Sequence, residues 1–271
     1  MRRFLLTYYI LSGLITLGVL RFISLNVASV FGMLTSWQYV FLGVMVAGIA
    51  AAFMIKNPSR LLWEAAITLA LFLGVWYLLL LILPLGGALA SASILTLCYL
   101  FLRTVWLHDL FFLIGGVGVA IDFSGWLVPE VLLLVLVGFS IYDYVAAPPG
   151  GVTENLVKTL LSRGLVPGII VVKKIKDLGS RCDELLINKT KTGLAARSAI
   201  LGAGDVILPM TLVARAGMRS FWNGLIVLLG LLAAILVLSW KNKDLRPRAA
   251  LPMLAIGAGL PFIALWITKQ I

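Results

Sequence analysis

The chain is built from runs of about 20 apolar residues, and these runs constrain its fold more than any other feature. A helix of that length crosses the hydrocarbon core of a bilayer, so each run is a candidate transmembrane span. Nine such segments are present: Phe4–Leu25, Trp37–Ile55, Leu61–Leu83, Gly86–Leu102, Leu107–Ile121, Leu127–Ala147, Leu194–Ala214, Phe221–Trp240 and Ala249–Ile267. The fourth and fifth segments are short, so either of them could be a re-entrant segment that does not cross the bilayer. The sequence therefore predicts an all-α polytopic membrane protein with nine transmembrane helices.

The amino-acid composition supports the same conclusion and excludes three other classes of protein. A soluble domain carries about 25% charged residues and about 45–50% apolar ones. This chain is 62% hydrophobic and only 12% charged, with a mean hydropathy of +1.09. A soluble enzyme, a disordered chain and a secreted disulfide scaffold are therefore excluded, and we expect a multi-pass protein of the cell membrane.

The formal net charge of +11 indicates membrane topology rather than nucleic-acid binding, because basic residues accumulate in cytoplasmic loops. If the N-terminus is cytoplasmic and all nine segments cross, 18 of the 22 basic residues face the cytoplasm. The four others are Arg21, Arg215, Arg219 and Lys269. We therefore predict a cytoplasmic N-terminus, an external C-terminus and no nucleic-acid partner.

One connection, Pro148–Gly193, is much longer and more polar than the rest. Within it, Gly168–Lys176 is rich in β-branched residues and is bounded by glycine and by Asp-Leu-Gly, which predicts a strand at the membrane surface. The first five spans are poor in buried charge. We therefore divide the chain into an N-terminal five-helix bundle, residues 1–125, and a four-helix part with the chemistry and the long cytoplasmic loop 148–193, residues 126–271.

Two aspartates lie inside predicted spans, where an ionisable side chain costs about 2.5–3.5 kcal/mol and therefore indicates function. Asp143 lies near the cytoplasmic end of the sixth span, and Asp205 lies about 11 residues into the seventh. Consecutive spans run in opposite directions, so both carboxylates fall in the cytoplasmic half and can be neighbours. The alternative is that they are two unrelated acidic residues at helix ends, each paired with a nearby Lys or Arg.

The other acidic residues are explained by loops or by span ends. Those near a span end, where headgroup contacts are enough, are Glu64, Asp109, Asp122 and Glu130. The single histidine, His108, adjoins Asp109, and we expect it to have a plain helix-end role. With one histidine and two distant cysteines, neither a metal site nor a cofactor is expected.

Paired carboxylates at membrane depth suit the hydrolysis of an amide bond. Two like charges close together cannot both ionise cheaply, so the pair shares one proton. The ionised member can act as general base on a water while the protonated member polarises a carbonyl. Gly202 and Gly204 beside Asp205 remove side chains from the helix, so that a backbone or a substrate can approach closely.

These residues resemble the motifs of a known family. Tyr142-Asp143 and Gly202-Ala203-Gly204-Asp205 look like the YD and GxGD motifs of the presenilin and signal peptide peptidase family, and the chain resembles a compact archaeal homologue. The family's Pro-Ala-Leu motif is similar to Pro252-Met253-Leu254, with methionine in place of alanine. The resemblance implies nine helices, catalytic aspartates on the sixth and seventh, and intramembrane aspartyl proteolysis. The predicted orientation is that of presenilins.

The resemblance also implies substrate contacts. Pro252 is expected to free a carbonyl at the entry of the ninth span, or else merely to start that helix. The strand over Ile169–Ile175 is expected to pair with an unwound substrate backbone. The alternative for this segment is a flexible basic loop held at anionic lipid headgroups. The expected partners are transmembrane-helix substrates and the lipid bilayer, and a homo-oligomer is left open. A second function, an ion leak channel or proton-coupled transporter using the same aspartates, also fits. A prepilin-type peptidase fits poorly, because the first two spans contain no Asp or Glu.

Overall fold

The computed structural model describes residues 2–23, 59–146, 159–162, 165–166, 168–172, 175–182, 198–241 and 249–271. Its helices are α1 (Arg2–Ile23), α2 (Arg60–Leu80), α3 (Leu85–Leu102), α4 (Val105–Trp126), α5 (Pro129–Ala146), α6 (Ala203–Arg219), α7 (Phe221–Lys241) and α8 (Leu251–Ile267). The predicted second span, Trp37–Ile55, lies outside the described residues.

Five of these helices, α2, α3, α4, α5 and α7, are long and apolar enough to cross a membrane, judged by length and composition. Shorter apolar stretches lie in α1, over Leu5–Arg21, and in α8, over Leu251–Ile267. A multi-pass membrane protein is thereby confirmed. The count of nine spans and the orientation of the termini stay predictions.

Helix α4 lies at the centre of the molecule and packs against α2 and α6. Its crossing with α2 depends on glycine, because a Cβ added at Gly118 would collide with the carbonyl oxygen of Gly74. Glycine at such a crossing lets two helix backbones approach closely, and this close packing replaces the hydrophobic driving force that lipid cannot provide.

The core continues from α4 into the C-terminal helices. Helix α6 packs against α1, α4, α7 and α8, and its Met210, Leu212 and Val213 are almost completely buried. The core therefore joins helices from both sides of residue 125, and the predicted division of the chain there stays a prediction.

The long loop contributes a strand, β1 (Gly168–Val172), which pairs antiparallel with β2 (Ser198–Gly202). Ile170 lies opposite Ile200 in this register. The strand predicted within Gly168–Lys176 is therefore present, although it ends at Val172, and a 3-10 helix follows over Ile175–Gly179.

The predicted seventh span, Leu194–Ala214, is wrong at its start. Residues Ser198–Gly202 form β2, and α6 begins only at Ala203. The hydrogen bonds that β1 offers to this segment override its apolar, helix-like pattern, and glycine at 202 and 204 weakens the helix further. Asp205 therefore lies in the first turn of α6 rather than in the middle of a span.

A second contact ties the loop to the junction between α3 and α4. Arg103 ends α3 in the left-handed conformation, and its carbonyl accepts a hydrogen bond from the Cys182 N–H at 2.9 Å. The Val105 N–H donates to Ser180 at 3.1 Å. The loop is therefore fixed against the same end of α4 that contacts the sheet.

Candidate active site

Asp205 is positioned by the transition from β2 into α6. It lies in the first helical turn, three residues after Gly202, and the backbone of Gly202 hydrogen-bonds to its carboxylate. A carboxylate is favourable there because the exposed N–H groups and the helix dipole attract negative charge. A Cβ added at Gly202 would lie 3.3 Å from Oδ2 of Asp205, so glycine leaves this carboxylate room.

Asp143 lies in the last turn of α5 and is partly buried. Its Oδ2 accepts a hydrogen bond from the Leu251 N–H at 3.2 Å, and the backbone of Ala250 bonds to the same carboxylate. These are the first backbone donors of α8, so Asp143 caps that helix from a different part of the chain.

The ends of three helices therefore meet at one place: the end of α5 and the starts of α6 and α8. Helices α5, α6 and α8 pack against one another in pairs, and this brings the carboxylates of Asp143 and Asp205 near enough for their charges to interact. Within the described ranges, no group of three or more His, Cys, Asp or Glu side chains could hold a metal ion.

The residues expected to support the aspartates have different surroundings. Gly204 is exposed, and a Cβ added there would meet no atom within 4 Å, so open space lies beside Asp205. Tyr142 is 53% exposed, and within the described part of the chain its hydroxyl makes no hydrogen bond. Met253 is partly buried, and Leu254 is 1% exposed in the core.

Pro252 lies at the N-terminal end of α8. The expectation that it frees a helix carbonyl is wrong, because the N–H groups of the first turn have no intrahelical partner in any case. Pro252 instead directly follows Ala250 and Leu251, whose backbone N–H groups bind Asp143.

An apolar groove of about 420 Å³ lies between α5 and α8 on one side of their contact. Ser140, Ile141 and Tyr144 line it from α5, and Pro252 and Ile256 line it from α8. Ile141 and Tyr144 flank Asp143 along α5, and Pro252 follows the Leu251 N–H that binds Asp143, so one end of the groove lies next to this carboxylate.

Two residues that the sequence analysis set aside are part of this region. His108 and Asp109, at the start of α4, are only 3% and 6% exposed. The His108 Nε2 donates to the Gly168 carbonyl at 2.8 Å, and the Ile170 N–H donates to Oδ1 of Asp109 at 2.8 Å. The expected helix-end roles are wrong for this pair, which binds β1 instead. The sequence signal that could have identified this pair is a histidine directly followed by an aspartate in a chain with few charged residues.

These two bonds determine which edge of the sheet is open. In an antiparallel pair, alternate residues direct both backbone groups to the same side. Because Gly168 and Ile170 face α4, Ile169 and Val171 bond to β2, and the N–H and C=O of Ile200 point away from β1. Helix α4 therefore covers the outer edge of β1 at these two bonds, whereas the outward groups of Ile200 on β2 bond to nothing within the described ranges.

Comparison with solved structures agrees with this architecture. A structure of a presenilin family intramembrane aspartate protease in the C222 space group matches over 97% of this chain and 99% of its own, with a TM-score of 0.60 and 22% identity. The chain has the presenilin fold. A second structure described in the same words, in the P2 space group, covers 95% of this chain and 96% of its own, with a TM-score of 0.55 and 21% identity. No protein-family model and no curated protein matches the sequence.

Proposed function

We propose that this protein is an intramembrane aspartyl endopeptidase that cuts the transmembrane segments of membrane proteins. The observation that carries the proposal is the meeting of Asp143 and Asp205 at three helix ends, in a chain with the presenilin fold. The excess of basic residues in the predicted cytoplasmic loops supports a site on the cytoplasmic side of the membrane.

In the proposed reaction, the two aspartates share one proton. The ionised carboxylate removes a proton from a water, whose oxygen attacks the scissile carbonyl carbon, while the protonated carboxyl donates a hydrogen bond to the carbonyl oxygen. The carboxyl that took the proton from water then gives it to the leaving nitrogen, the C–N bond breaks, and the pair again holds one proton. Fully protonated and fully ionised pairs are both inactive, so the rate passes through a maximum with pH.

A transmembrane helix hides its amides behind its own hydrogen bonds, so it must unwind before water can attack. Each unpaired backbone group in an apolar environment costs several kcal/mol. The outward N–H and C=O of Ile200 are partners for the unwound segment, and the strand then leads directly to Asp205. Strand addition is therefore assigned to β2, rather than to the Ile169–Ile175 segment.

The part of the substrate that stays helical also needs a contact surface. The groove between α5 and α8 is lined mainly by apolar side chains, which match the side chains of a transmembrane helix. A helix lying in that groove places its end beside Asp143, where the unwound segment begins.

The experiment is incubation of the purified protein in detergent with a panel of labelled transmembrane peptides, followed by mass spectrometry of the products. The proposal predicts new termini inside the apolar segment, near its cytoplasmic end. Products cut only in the soluble flanks, or no products from any peptide, would contradict it.

The second candidate is an ion leak channel or proton-coupled transporter, which is favoured by the open space beside Gly204 and Asp205. Liposomes that contain the same preparation distinguish the two functions. Ion or proton flux without any peptide cleavage would favour the transport function, whereas cleavage without flux would favour the protease.

A further inference from the structure

Helix α6 contains a proline, Pro209, four residues after Asp205. In an α-helix, the carbonyl of each residue accepts a hydrogen bond from the N–H four residues later. Proline has no N–H, so the carbonyl of Asp205 cannot make this bond. The backbone of the aspartate therefore lacks its normal support on the C-terminal side.

A side chain from the other end of the sequence takes the place of that donor. The hydroxyl of Tyr9, on α1, donates to the Asp205 carbonyl oxygen at 3.1 Å. Tyr9 is 1% exposed, and α1 packs directly against α6. A buried tyrosine hydroxyl needs a partner, and so does a buried carbonyl. The contact satisfies both groups.

The N-terminal side of Asp205 is restrained through the sheet. Gly202 pairs with Gly168 in the register of β1 and β2, and its backbone bonds to the Asp205 carboxylate. Gly204, directly before Asp205, adds no side-chain packing, since a Cβ built there would meet no atom within 4 Å. The Tyr9 bond therefore supplies on the C-terminal side of Asp205 the restraint that the sheet supplies on the other side.

We propose that Tyr9 is a positioning residue for Asp205, replacing through its hydroxyl the backbone donor that Pro209 removes. The inference rests on the proposed proteolysis, because it assigns Asp205 to the reacting pair. Tyr9 acts through the Asp205 backbone and touches no reacting atom. It therefore sets how well the carboxylate is oriented, which affects kcat rather than substrate binding.

The test is a double-mutant cycle between Tyr9→Phe and Pro209→Ala. Tyr9→Phe keeps the ring and its edge-to-face packing on Tyr8 and removes only the hydroxyl. We expect kcat to fall about five- to tenfold at unchanged KM, as the loss of one such hydrogen bond implies. With alanine at 209, a backbone N–H is available again, so Tyr9→Phe should then change kcat less than about twofold.

The matched control is Tyr77→Phe. The Tyr77 hydroxyl is buried and makes no hydrogen bond within the described part of the chain, so its removal should leave kcat unchanged. Wild-type cleavage and its loss in Asp205→Asn, measured in parallel, test the proposed function separately from the role of Tyr9.

The inference is overturned if Tyr9→Phe leaves kcat at the wild-type value, if it raises KM alone, or if its effect is equal in both backgrounds. If Pro209→Ala does not fold, the two phenylalanine variants are compared instead. The inference then requires that Tyr9→Phe lowers kcat at unchanged KM while Tyr77→Phe changes neither. The same cycle measured by thermal unfolding tests the hydrogen-bond exchange without proteolysis. There the loss of Tm caused by Tyr9→Phe should shrink once residue 209 is alanine.

Discussion

The open edge of β2 makes a sharp prediction about Ile200. Proline at this position removes the central N–H of β2 that points away from β1, while the bonds that join the two strands come from the neighbouring residues Ala199 and Leu201. We therefore expect Ile200→Pro to keep the sheet and to weaken its pairing with substrate. Leu201→Pro should instead break a bond to β1 and lower Tm.

The magnitude follows from the hydrogen bonds lost. Removing one donor leaves a substrate carbonyl unpaired in an apolar site, which costs about 1–3 kcal/mol. Because about 1.4 kcal/mol is a factor of ten, kcat/KM should fall about 5- to 150-fold. The assay is cleavage of a labelled transmembrane peptide over a range of substrate concentrations, together with the Tm of each variant.

The Ile200 side chain is itself partly buried and packs against Ile170 and its neighbours, so its loss needs a separate control. Ile200→Ala removes the same packing and keeps the N–H. The ratio of kcat/KM between Ile200→Ala and Ile200→Pro therefore measures the contribution of the backbone donor alone. The reasoning is refuted if Ile200→Pro cleaves as fast as Ile200→Ala, or if Ile200→Pro lowers Tm as much as Leu201→Pro does.

Three further predictions concern the surroundings of the site. Gly118→Val forces a side chain into the Gly74 carbonyl. It should lower the free energy of unfolding, and with it Tm, by much more than the ~0.5 kcal/mol of a surface substitution. Asp109→Ala leaves the buried Ile170 N–H unpaired, which should cost about 1–3 kcal/mol of stability and slow cleavage. Pro252→Ala should reduce cleavage at unchanged expression, because it releases the fixed φ at the entry of α8.

The first two of these predictions each have a control in the same chain. Gly86→Val introduces the same side chain where an added Cβ meets nothing within 4 Å, so it should be tolerated. Asp109→Asn retains an acceptor for the strand and should lose less than the alanine variant. Full cleavage by Pro252→Ala would leave the Pro-Met-Leu segment without a role in the reaction.

The sequence predicted the features that composition and hydrophobic length determine. The segment Leu127–Ala147 became α5 (Pro129–Ala146), and Phe221–Trp240 became α7 (Phe221–Lys241), because a long apolar run in lipid must satisfy its backbone within a helix. The strand in the long loop was also predicted from its β-branched residues. The roles of Asp143 and Asp205 were predicted from their position and stay predictions until activity is measured.

Features that depend on contacts between distant residues were not predicted. The segment Ser198–Gly202 has an apolar pattern that suits a helix, and only its pairing with β1 makes it a strand. His108 and Asp109 looked like ordinary helix-end residues until β1 was placed against them. Tyr9 is 196 residues from Asp205, and no local pattern in the sequence relates the two.

The central claim is that Asp143 and Asp205 act as one pair, and the most direct measurement is the cleavage rate of a transmembrane peptide by Asp143→Asn and Asp205→Asn. Each change removes a group that must exchange a proton and leaves its size nearly unchanged. We expect each variant to lose at least ~10²–10⁴ in kcat, and the double variant to lose no more than the worse single one, since the aspartates act as a unit. Near wild-type cleavage by either single variant, purified and with a wild-type Tm, would contradict the account.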